Sequence, residues 1–231
     1  MKAKTIFLIP ILAIAALVAS IGMAFAQTEI MTFDDLSWSG NYYEQIPNSY
    51  GGLQWNNFFV VNTVQDLSLH GTADGGVNGV VSPPNLAFNG GGNAAFISDG
   101  SFNLNSAYLM GVWNDGLQVE VQGFVGTTLT YDHTYSVGTQ GSTLINFNYI
   151  GVNEVNFISS GGVPHGFRTG QGTQFGMDNL SITLVPEPST YGLVGLGVIV
   201  LTLRCLANRC KQRGMAGPVP LRGSRWLVPR A

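Results

Sequence analysis

Three carboxylates, Asp34, Asp35 and Asp178, are of the right type to hold a hard cation. Ca2+ is bound by carboxylate and carbonyl oxygens, and carboxylates from the first and last strands of a β-sandwich would supply them along one seam. The same residues equally suit a turn cap at Asp34-Asp35 and a solvated strand end at Asp178. Structural Ca2+ is the one cofactor these residue types suggest. Seven aromatic residues, Trp38, Tyr42, Tyr43, Tyr50, Trp55, Tyr108 and Trp113, carry flat faces on which the C–H bonds of a sugar ring can stack. Alternate aromatics also fill the core of a sandwich. Trp38, Tyr42 and Tyr43 lie in a Ser/Gly/Asn-rich loop and are therefore the ligand-binding candidates.

Catalytic patterns are missing from the sequence. His70, His133 and His165 have no metal-binding spacing such as H-E-x-x-H, and each reads as a loop residue. No Ser sits in G-x-S-x-G. Glycosidase chemistry needs two facing carboxylates, and no motif singles out a pair. Thr127, Thr128, Thr130 and Thr134 suggest a flat ice-binding face, but no repeat extends it. The chain is expected to be non-enzymatic.

These residues sit in a segment of unusual charge. Between Gln27 and Leu184 there are 12 acidic side chains against one basic residue, Arg168, and no Lys, a net charge of about −11. Such a surface repels phosphate, which excludes nucleic acid as a partner. Both cysteines, Cys205 and Cys210, lie beyond this segment, so no disulfide braces it. The segment holds 24 Gly, 17 Asn and 11 Phe, a composition that favours short aromatic strands and tight turns over helices.

The elements that must position the candidates follow from alternation and turn residues. Strands are expected at 29–33, around Trp55 and over 58–61, with a flexible Gly/Asn/Asp loop over 71–79. Residues 80–88, with paired prolines, read as an edge or loop segment. Ala107–Trp113 and Leu117–Phe124 flank Asn114-Asp115-Gly116, which predicts a β-hairpin. Further strands fall at 127–131, 134–137, 143–147, 154–159 and 175–184. Nine or ten short strands predict an all-β chain with a jelly-roll-like β-sandwich ectodomain over 27–184.

The two ends read as addresses. Lys2 and Lys4, the apolar run Ile6–Val18 and Ala24-Phe25-Ala26 form a secretory signal peptide over 1–26, with the mature chain starting at Gln27. Val185, Pro186, Glu187 and Pro188 precede an uncharged run of 13 residues, Tyr191–Leu203, and then the basic cluster Arg204, Arg209, Lys211 and Arg213. A helix breaker, an apolar helix and a positive stop predict a single transmembrane helix. Thirteen residues cover roughly 20 Å against a hydrocarbon core of roughly 30 Å. Snorkelling of Arg204 and inclusion of Cys205, Leu206 and Ala207 extend the span to about 191–207. Residues 214–231 form a basic tail expected to be disordered.

The V-P-E-P stretch, the Gly-containing apolar helix and the Arg cluster together resemble the PEP-CTERM sorting signal, also described as the C-terminal domain of ice-binding proteins. The resemblance implies a chain of a Gram-negative bacterium that is exported and anchored in the inner membrane. It is then cut near Pro-Glu-Pro by an exosortase-type membrane protease and placed at the cell surface or in the matrix, alongside exopolysaccharide. The tail here departs from that pattern by running on past Arg213. Ile46–Ile182 also resembles a recurring ectodomain of such proteins through I-P-N-x-Y-G-G-L-x-W, G-V-V-S-P-P-N, W-N-D-G-L and F-x-M-D-N-L. That fold is similar to carbohydrate-binding modules, so contact with extracellular polysaccharide is the implied role. A purely structural or adhesive surface protein and a secreted glycan-active hydrolase are the alternatives.

Overall fold

The computed structural model describes residues 26–37, 42–185, 197 and 199–205. The signal segment, Trp38, Pro186, Glu187, Pro188, Arg209, Lys211, Arg213 and the 214–231 tail lie outside the described residues. Residues 24–187 form one compact unit, and 1–23 with 188–231 form another. In the latter, residues 199–205 are helical and Arg204 is exposed. Among the described residues no helix is long and apolar enough to cross a membrane. The expected span over about 191–207 falls largely on residues outside that set.

Twelve strands build the larger unit. They are β1 (Gln27–Met31), β2 (Tyr43–Gln45), β3 (Gln54–Asn56), β4 (Phe58–Asn62), β5 (Asn85–Asn89), β6 (Ala95–Gly111), β7 (Asn114–Asp115), β8 (Leu117–Val125), β9 (Thr128–Val137), β10 (Thr143–Ser160), β11 (Val163–Pro164) and β12 (Phe175–Leu184). Their main hydrogen-bonded order is β2-β4-β5-β12-β6-β10-β8-β9, with β1 on β12 and β3 on β6. Every pairing is antiparallel. The chain is thus all-β and sandwich-like.

The two long strands make the layers. The C-terminal part of β6, Phe102–Gly111, pairs with β12, whereas Phe96–Ser98 pairs with β3. β10 pairs with β6 from Thr143 to Phe157 and, on its other edge, with β8 over Glu154–Ser160. Register shifts between Asn146 and Glu154 mark where β10 bends, with Asn148 and Gly151 at positive φ. Strict alternation, as in β8, sends every second side chain inward. Phe58 meets Phe157 and Phe175 edge-on at 5.6 and 6.0 Å, and all three are fully buried. Each such ring contributes roughly 2 kcal/mol by burial.

Three sequence expectations change here. Asn114-Asp115-Gly116 does not close a hairpin, because β10 lies between β6 and β8. Asn114 and Asp115 instead pair with β11, and Gly116 alone has a positive φ of 63°. The segment read as an edge contains β5, which is flanked by β4 and β12. Pro83 and Pro84 precede the ladder and so remove nothing from it. Finally, the domain does contain helices: α1 (Thr63–His70) and α2 (Gly75–Gly79). The Asn62 and Asp74 side chains cap them by accepting from Gln65 and Val77 N–H, and Gly71 ends α1 at a φ of 72°.

Candidate functional site, an aromatic groove with a buried ionic wall

Where strands β4 and β5 turn their outer faces to solvent, alternation leaves apolar residues. Phe59 faces Phe88 and Val61 faces Leu86 across the ladder. The Phe59 and Phe88 rings lie 5.8 Å apart, and Tyr43 on β2 sits edge-on to both at 6.3 and 6.2 Å. Tyr43 remains 42% exposed. Tyr42 stands edge-on to Tyr43 at 5.2 Å and to His70 at 5.4 Å. Burial raises the Tyr42 hydroxyl above its ordinary pKa. Together with Trp113 these rings line a groove of about 700 Å3, a volume suited to several sugar rings.

The opposite wall is ionic. Arg168 has a left-handed φ of 46° and donates from Nη2 to Asp66 Oδ2 at 2.8 Å and from Nε to the Thr72 carbonyl at 2.7 Å. Its Nη1 stands 3.5 Å from Asp74 Oδ2. His70 Nδ1 lies 3.0 Å from Asp66 Oδ1, one helical turn away on α1. Burial raises the Asp74 carboxyl pKa, opposed by the Val77 N–H and by Arg168. One guanidinium thus ties α1, α2 and the 167–169 turn together at the groove edge. Gln174 lines the same cavity, and its Oε1 is buried without a hydrogen-bond partner among the described residues.

The sequence candidates divide. Tyr42 and Tyr43 both line the groove, and Trp113 joins them. Trp55 instead lies 3% exposed in the core, with Nε1 donating to the Tyr50 carbonyl. Tyr50 packs on the same core and donates to Asp35 at 2.7 Å; burial holds its hydroxyl pKa far above the ordinary value.

The three acidic candidates each accept hydrogen bonds. Asp34 accepts from Asn85 N–H at 3.0 Å, and Asp35 accepts from Tyr50. Asp178, fully buried, accepts from the N–H groups of Val81, Ser82 and Asn179 and from the Ser82 hydroxyl. β1 does lie beside β12, as the seam required. Even so, no group of three His, Cys, Asp or Glu side chains fit to hold a metal occurs among the described residues.

Phe59, Phe88, Asp66, Asp74, His70 and Arg168 escaped the sequence reading. The signal that would have found Arg168 is its isolation as the one base among 12 acids, since a lone buried cation must be paired.

Beyond the last strand the chain reaches Val185, whose N–H donates to the Ser101 carbonyl at 3.1 Å. Residues 184–207 match the PEP-CTERM protein-sorting motif. The PEP-CTERM motif indicates an exosortase-targeted surface protein, exported and sorted through the membrane. Two solved structures resemble the chain at low identity. A DUF4465 family protein from Bacteroides ovatus shares 12% identity at a TM-score of 0.42, covering 70% of this chain and all of its own. TmCBM61, solved with β-1,4-galactotriose, shares 6% identity at a TM-score of 0.33, covering 60% of this chain and 92% of its own. No curated protein matches the chain.

Proposed function

We propose that this PEP-CTERM protein is a non-catalytic, surface-sorted polysaccharide-binding protein whose ligand lies in the groove between Tyr43 and Trp113. The observation that carries the reading is the groove itself: the exposed Tyr43 ring and the half-buried Phe59 and Phe88 rings on β2, β4 and β5, beside polar side chains, on an exported chain. Sugar rings stack on such faces while acceptors and donors take their hydroxyls. The reading includes a jelly-roll-like wrapping of the sandwich, cleavage near Pro186-Glu187-Pro188 and a membrane-crossing helix over about 191–207.

Absence of catalysis is supported by the state of the two groove carboxylates. Asp66 is bound to Arg168 and His70, and Asp74 is bound to Arg168 and the Val77 N–H. Neither is placed as a free acid facing a free base across a cleft.

The test is a glycan array followed by affinity electrophoresis with the wild type, Tyr43→Ala and Trp113→Ala. Retention on at least one polysaccharide is expected, weakened about tenfold in each variant, equivalent to about 1.4 kcal/mol. Binding that is unchanged in both variants would place the ligand elsewhere, and a blank array would remove the reading.

A further inference from the structure

The groove has a charge as well as a shape. Its ionic wall holds two carboxylates, Asp66 and Asp74, against one guanidinium, Arg168, so it carries an excess of one negative charge while His70 is neutral. Both carboxylates are only 8–9% exposed on their side chains, where water screens them poorly. Aromatic faces carry negative charge at their centres and attract cations, most strongly when desolvated. Tyr42, Tyr43 and Trp113 offer such faces over the same cavity. Arg168 sits 11% exposed and already bound to Asp66 and the Thr72 carbonyl, so it is not open to an acidic sugar. The domain as a whole, the wall included, carries about 11 excess acids over 27–184 and so a long-range negative field.

We infer that the groove selects a polysaccharide bearing free, protonated amino groups, with the ammonium set over the aromatic faces and drawn by the excess charge of Asp66 and Asp74. This deepens the polysaccharide reading and rests on it. Uronic-acid polymers are rejected by the same wall. Neutral and N-acetylated polymers bind by stacking alone and are the weaker ligands.

Calorimetric titration of the full-length protein with β-1,4-linked oligomers of equal length tests this. The oligomers are of glucosamine, N-acetylglucosamine and a uronic acid, at near-neutral pH, in low and raised salt. The glucosamine oligomer is expected to bind about tenfold more tightly than its N-acetylated form, with the margin narrowing in salt. Asp74→Asn, which keeps an Asn cap on α2, is expected to reduce that margin. Equal binding of the two forms, or tighter binding of the acidic oligomer, overturns the amine preference and leaves the polysaccharide reading standing. An amine margin that persists in a Tyr43→Ala/Trp113→Ala double variant marks adsorption to the acidic surface and overturns the inference. If no oligomer binds and the glycan array is also blank, both readings fall together.

Discussion

Asp178 was legible as important from its acidic type in a strand-closing F-x-M-D-N-L stretch, but its role depends on a partner 96 residues away in sequence. A bulge at Asn179, with a φ of 51°, turns the Asp178 carboxylate onto the Val81-Ser82 turn before β5. Burial pushes the Asp178 carboxyl up, and the donors from Ser82, Val81 and Asn179 pull it back. Replacing it by Ala removes the acceptor of those part-buried N–H groups, and chemical denaturation of Asp178→Ala is expected to show a loss of about 2 kcal/mol. Asp115 is the opposite case. Hydrogen bonds from the Thr139 hydroxyl, His165 and the Thr139 N–H hold its carboxyl down at about 2. A depressed folded pKa contributes stability above the ordinary value of about 3.9, lost as pH falls from there toward about 2. NMR titration of Asp115 is expected to give that low value, and Thr139→Val to raise it and flatten the acid limb of stability.

Helices α1 and α2 account for most of what the sequence did not reveal about the site. Composition favoured strands, and the capping residues Asn62, Gly71 and Asp74 looked like ordinary loop polar groups. Tertiary contact explains why so glycine-rich a segment is helical at all. A Cβ at Gly75 would collide with the Gly111 carbonyl oxygen, and one at Gly79 would approach the Met110 side chain at 2.9 Å. Gly75→Ala therefore displaces α2 from β6 and is expected to cost about 2 kcal/mol, read as a lowered Tm. Because Asp74 caps α2, the Arg168 linkage should loosen with it. The N-D-G turn failed as a hairpin signal for a related reason. Local residues set a turn, but which strand fills the neighbouring ladder is decided by β10, whose insertion between β6 and β8 no local pattern encodes.

Across the whole molecule, the all-β class and the sorting tail were readable because each follows from composition or a contiguous pattern, whereas the pairing of first and last strands was expected only by likeness to other sandwiches. The groove was only half readable: Tyr42 and Tyr43 stood out as loop aromatics, whereas the outward Phe59 and Phe88 alternate like core residues until β4 and β5 are placed side by side. The resulting protein is an acidic sandwich sorted to the surface, presenting one aromatic groove with a negative wall. The central claim is that this groove is where the molecule meets its ligand. The most direct test is NMR chemical-shift mapping of the isotope-labelled protein during titration with the tightest-binding oligosaccharide. The account predicts that perturbations gather on Tyr42, Tyr43, Phe59, Phe88 and Trp113 and reach Asp66 and Arg168. Perturbations confined to β9 and β10, or spread evenly over the acidic surface, would contradict it.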